Sequence, residues 1–191
     1  MSRGISQKTK KLTLGAILSA LGVAMLLIGS MIEVMDLSMA ALASFFCIFS
    51  VIELGGAYPW LIFAVTGVLS LILMPFSMGG WFYLLFFGYY PILKEKLEKR
   101  KKSIAWLLKI VLFNTALALG VVAAYFLFFG NTGEGIENAF FLIFGGEDVG
   151  KAMAIVTYLL ANVVFVVYDI ALTRLITYYF VRIRRKFKFL K

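Results

Sequence analysis

The sequence predicts an all-α, polytopic membrane protein built as a bundle of six transmembrane helices, and three observations carry that prediction. Of its 191 residues 62% are hydrophobic and 15% charged, whereas a soluble domain is roughly half apolar and about a quarter charged. The apolar residues come in long runs, on the scale needed to cross a hydrocarbon core of about 30 Å. The basic residues are gathered rather than scattered: all but Lys109, Lys151 and Arg174 of the 19 Lys and Arg fall in residues 1–11, 94–102 and 182–191. Lys and Arg stay on the cytoplasmic side of a cell membrane, so this clustering puts both termini and the 94–102 loop inside. The net charge of +9 is thereby explained without nucleic acid as a partner.

The whole chain, 1–191, reads as one membrane domain. The first span is 12–32, which contains no charge. It is about twice the length of a signal-peptide core and more apolar runs follow, so it is expected to be retained. Ala16 and Ala20 share a face, and Gly15, Ser19 and Gly22 extend the same smooth side. Small residues at such spacing admit a close helix, either from this chain or from another protein. Glu33 and Asp36 stand at a short outer turn before span two, 37–53, with its small residues Ala40, Ala41, Ala43 and Ser44. Glu53 is expected at the inner membrane surface. Gly55, Gly56 and Pro59 make the following turn.

Span three is 59–75, and residues 75–80 form the next outer turn. Span four, 78–93, is densely aromatic, with Trp81 near one end and Tyr89 and Tyr90 near the other, as interfacial belts require. Pro91 is placed to kink the helix as it leaves the membrane. Span five is 103–129 and span six 151–181. Between them the outer loop 130–150 holds an apolar stretch, 136–144, too short to span, which reads as an interfacial or re-entrant helix. The tail from 182 mixes basic and apolar residues, the pattern of an anchor on anionic membrane lipid.

Chemistry is sparse. Histidine is absent, Cys47 stands alone, and no Gly-x-Ser-x-Gly, His-Glu-x-x-His or Walker A motif occurs. The chain is therefore expected not to be an enzyme, and no cofactor or metal is implied. The polar residues inside spans are Lys109, Asn114, Asn162, Asp169 and Arg174. Counted from the inner helix ends at ~1.5 Å per residue, Lys109 lies about 9 Å deep, Asn114 about 16 Å, Arg174 about 12 Å and Asp169 about 20 Å. Spans five and six run antiparallel, so Asp169 is expected to pair with Lys109 or Arg174, with Asn114 bonded into the same cluster. Either Lys109 and Arg174 snorkel to the headgroups with Asp169 as a shallow partner, or the cluster lines a polar pocket or gate.

A basic N-terminus leading into Lys11-Leu-Thr-Leu-Gly-Ala16-Ile-Leu-Ser-Ala20-Leu-Gly, followed by short spans with both ends inside, resembles the substrate-binding S component of energy-coupling factor (ECF) transporters, a bacterial membrane family. In that family an Ala-x-x-x-Ala motif on the first helix docks on a transmembrane coupling subunit, which also carries two ATPases. The resemblance implies that Ala16 and Ala20 do so here, that a small molecule such as a vitamin is the ligand, and that the missing Walker motif resides in the partner. This sequence departs from the family where the loop after helix one, long in many S components, is only residues 33–36. Residues 86–94, Phe-Phe-Gly-Tyr-Tyr-Pro-Ile-Leu-Lys, also look like a stretch of S-component-like bacterial membrane proteins, which makes Tyr89, Tyr90, Pro91 and Lys94 a candidate inner-face motif. The alternative is a non-transport scaffold of envelope assembly, for which the six-span protein MreD offers a similar architecture. A membrane enzyme acting on lipid-linked substrates is the third class considered.

Overall fold

The computed structural model describes residues 2–126 and 151–183. Every element in them is helical. The expected interfacial helix at 136–144 and the basic tail beyond 183 lie outside the described residues. Four helical stretches are long and apolar enough to cross a membrane: Gln7–Met31, Asp36–Glu53, Lys102–Ala123 and Ile155–Val181. This makes the chain a membrane protein by the length and composition of its helices.

Helix α1 is Ser2–Met31, so it begins ten residues before the predicted span. Its basic first turns stay helical because no proline interrupts them, and Lys11 reaches the Leu54 carbonyl at 3.3 Å. A short turn, Glu33–Met35, leads into α2, Asp36–Glu53. Gly55 and Gly56 then take φ of +62° and +60°, the left-handed conformation that glycine adopts freely. Pro59 opens the next helix, α3 (Tyr58–Leu73), where its missing N–H is harmless.

Predicted span four is not one helix. It is α4 (Met78–Phe82), a wider π turn at Tyr83–Phe87, a break at Gly88 and Tyr89, and α5 (Tyr90–Leu97). Pro91 lies in the first turn of α5, so it starts a helix rather than kinking one. A Cβ on Gly88 would stand 2.5 Å from the Phe63 ring and 2.8 Å from the Tyr83 ring, so the break is where an aromatic ring meets bare backbone. Helix α6 is Lys102–Ala124 and α7 is Lys151–Tyr178, the latter ending in a π turn at Tyr179–Ile183.

The chain forms two compact units. The first, Met1–Lys101 with Arg174–Lys191, contains α1 to α5. Its core clusters are Leu26, Ala40, Ala43, Met74 and Tyr83, and Leu18, Leu54 and Ile62. Helix α2 supplies a buried stripe of Asp36, Ala40, Ala43, Ser44, Cys47 and Ile48, the helical spacing of one face. Ser44, Ser50 and Ser70 each turn their hydroxyl back onto a carbonyl of their own helix, which satisfies the donor where it is buried. The second unit, Lys102–Thr173, contains α6 and most of α7.

Candidate functional site

In the first unit, the turn after α1 and the turn before α4 are tied together by one carboxylate. Asp36, the first residue of α2, is only 9% exposed. It accepts from the Ser77 hydroxyl at 3.0 Å and from the Gly79 amide at 2.8 Å. Ser77 is the N-cap of α4 and accepts from the Gly80 amide at 3.2 Å. Asp36 thus serves the start of a different helix from its own, a role its place at the outer turn did not disclose. The glycine at 79 is required, because a Cβ there would stand 2.7 Å from the Asp36 carbonyl oxygen.

Beside this knot lies a cleft of about 560 Å³, within the range of small-molecule sites. Val34, Leu37, Met74, Pro75, Phe76 and Met78 give it apolar walls. Among the described residues its polar groups are Ser30, Ser77 and Asp36, and Asp36 is the one charged residue in that lining. Nothing in the sequence pattern singled out this cleft, since its walls come from two turns about forty residues apart.

Ala16 and Ala20 part company with the small residues around them. Gly15, Ser19 and Gly22 are buried, whereas Ala16 and Ala20 are exposed. Gly15 lies against Ile62 of α3, and a Cβ at Gly22 would sit 3.0 Å from the Thr66 methyl carbon. The Thr66 hydroxyl points at the Ser19 carbonyl, 3.5 Å away. The expectation of one continuous smooth side is therefore corrected. One small-residue stripe is consumed by α3, and a second, with Ala16 and Ala20, faces outward from the chain.

The candidate inner-face motif is largely internal. Tyr90 is fully buried, Pro91 and Ile92 are buried, and Lys94 is 1% exposed. Tyr90 packs on Phe86 with ring centres 4.7 Å apart and the rings tilted by 31°, and Lys94 pairs with Glu98 at 3.1 Å. Tyr89 meets Phe63 edge-on at 5.9 Å. The belt role expected for Tyr90 is overturned, because its ring is packed in protein. Nearby in the same unit Glu53 accepts from the Tyr179 hydroxyl at 2.7 Å.

In the second unit the polar residues of α6 and α7 meet across the hairpin. Lys109 and Asp169 form an ion pair of 3.0 Å, with the two residues 4% and 2% exposed. The Lys109 ammonium also lies 5.4 Å from the centre of the Trp106 ring. Four residues along each helix, in opposite directions, Phe113 and Phe165 stack at 4.5 Å. Beyond them the Asn114 amide donates to Asn162 at 3.1 Å, and the Tyr158 hydroxyl donates to the Asn114 carbonyl. The expected single cluster is thus two polar layers with an aromatic layer between. Asp169 chooses Lys109, and Lys109 does not snorkel. Arg174 is exposed and makes no ion pair among the described residues. Tyr158 was missed because a tyrosine in an apolar run carries no sign of its partner.

Among the described residues no three of His, Cys, Asp and Glu gather as a metal site. Comparison of the chain with family models, with curated proteins and with solved structures returns no match.

Proposed function

We propose that this protein is the membrane-embedded, solute-binding subunit of a multi-subunit transporter, of the ECF S-component kind, taking up a small molecule. In this reading the chain crosses the cell membrane six times with both termini cytoplasmic. Helix α3 and the broken α4–α5 segment serve as the third and fourth crossings. The placement of the Lys and Arg residues supports that orientation, and it puts the cleft beside Asp36 on the outer side.

The observation that carries the proposal is the exposure of Ala16 and Ala20 on a helix whose Gly15, Ser19 and Gly22 are already buried. A flat stripe left facing the lipid is what a second transmembrane protein needs for close approach. The cleft supplies the complementary feature, a place for a solute. The absence of a nucleotide-binding motif assigns energy supply to the partner.

A second reading, the envelope scaffold, is favoured by the hairpin. Among the described residues no buried side-chain nitrogen or oxygen lacks a partner, so the polar ladder of α6 and α7 is complete as a structural element. The two readings separate on mild purification from native membranes with identification of co-purifying chains. Recovery of a transmembrane subunit with two ATPases, lost in the Ala16→Trp, Ala20→Trp double variant, is the expected result. Recovery of envelope-assembly proteins that survive the double variant would replace the transporter with the scaffold.

A further inference from the structure

We infer that the cleft beside Asp36 selects a small organic cation, an alkylammonium with an apolar body, over neutral or anionic molecules of the same shape. The inference rests on the solute-binding reading and names the substrate class of that site. Four observations combine. The cleft's walls are apolar on most sides, so the body of a ligand loses water on entry. Among the described residues its single charged lining residue is a carboxylate, and no Lys or Arg lines it. Asp36 is nine-tenths buried, yet among the described residues it makes no ion pair. The donors that hold it are a neutral hydroxyl and a backbone amide.

A carboxylate has about four acceptor positions. Ser77 and Gly79 account for part of that capacity and also fix the carboxylate's orientation. A buried charge without a counter-charge is stabilised strongly by one. An ammonium group supplies it while the ligand's apolar portion rests against Phe76, Met74 and Met78. An anion would meet the same carboxylate as repulsion. The Phe76 ring and the methionine thioethers add polarisable surface suited to a cation's neighbouring methylenes. Ser30 offers one further hydroxyl for a polar substituent.

The test is a calorimetric titration of the full chain in maltoside micelles with three matched probes: 2-phenylethylammonium, 2-phenylethanol and 3-phenylpropanoate. The ammonium is expected to bind roughly tenfold or more tightly than the alcohol, the scale of one charge-assisted hydrogen bond, and the carboxylate not to bind measurably. Asp36→Asn, which keeps an acceptor for Gly79, should erase the preference. Because that variant touches the α4 cap, Leu37→Lys is the second one. Leu37 is 48% exposed and stands in the first turn of α2, where a lysine can reach the membrane surface, and its own ammonium should block the probe. Equal binding of all three probes, or a preference unaltered by both variants, overturns the inference. Loss of the ammonium's binding on adding phosphatidylethanolamine, but not phosphatidylglycerol, would also overturn it, by making a lipid headgroup the occupant instead of a solute. These outcomes are independent of subunit recovery. A co-purifying ATPase module with no cation preference leaves the transporter standing and removes only the ligand class.

Discussion

The two units of this protein hold helices together by opposite means. In the first, backbones approach through glycine and small residues, and polar side chains mostly bond within their own helix or to a helix end. In the second, two helices are joined by side-chain polar contacts, an ion pair on one side of a phenylalanine stack and an Asn–Asn–Tyr chain on the other. Lipid offers no hydrophobic drive for helices to associate, so close packing and polar pairing are the available forces. The lesson is where each is vulnerable: the first unit to added volume, the second to lost charge balance.

The sharpest break falls in the second unit. Asp169→Leu leaves the Lys109 ammonium buried without its counter-charge and should destabilise the protein by about 3–5 kcal/mol, read as a lowered midpoint in SDS-induced unfolding from micelles. The double variant Lys109→Leu, Asp169→Leu should recover most of that loss, since a well-packed apolar pair replaces the ions. A double variant as unstable as the single would mean that the pair is needed for more than charge balance.

Added volume is the test for the first unit. Gly79→Ala forces a methyl against Asp36 and should reduce stability by about 1–3 kcal/mol. Gly15→Ala, whose Cβ would meet Ile62 at an ordinary 3.6 Å, should leave stability unchanged or raise it by up to about 1 kcal/mol. Similar effects at both positions in the same assay would refute close approach as the organising principle.

Smaller effects sharpen the contrast. Asn162→Leu removes one interhelical hydrogen bond and should lower stability by roughly 0.6 kcal/mol, with about 1.7 as the upper end for such bonds. Ser70→Ala should change it by less than about 0.5 kcal/mol, because that hydroxyl bonds the Gly67 carbonyl of its own helix and joins nothing to anything else. If Ser70→Ala proves the more damaging of the two, the division between the units is wrong.

Much of the fold is legible along the chain, because a helix in lipid must be long, apolar and internally hydrogen-bonded. Residues 12–32, 37–53, 103–129 and 151–181 all contain most of a long observed helix within the described residues. The fourth predicted span fails for a local reason. Its composition is apolar throughout, but Gly88 against Phe63 divides it, and composition has no term for a ring meeting backbone. The candidate site is legible in part. The antiparallel run of the last two spans brought Asp169 within reach of Lys109 or Arg174, but depth counting, which set Lys109 about 9 Å and Asp169 about 20 Å deep, did not choose between them. It could not separate Asn114 into its own layer, because one extra residue of offset turns a side chain by about 100°.

The sequence alone determined that the solvent is lipid, where the long helices run, and which polar residues need partners there. Those are properties of composition and helical rise, and they hold whatever the helices touch. The tertiary structure decided the rest: that Gly15, Ser19 and Gly22 are spent on α3 while Ala16 and Ala20 are not, that Lys94 and Tyr90 are interior, and that Asp36 binds two turns and lines a cleft. Each depends on the rotation of a helix about its axis and on contacts between residues far apart in the chain, which no local pattern encodes.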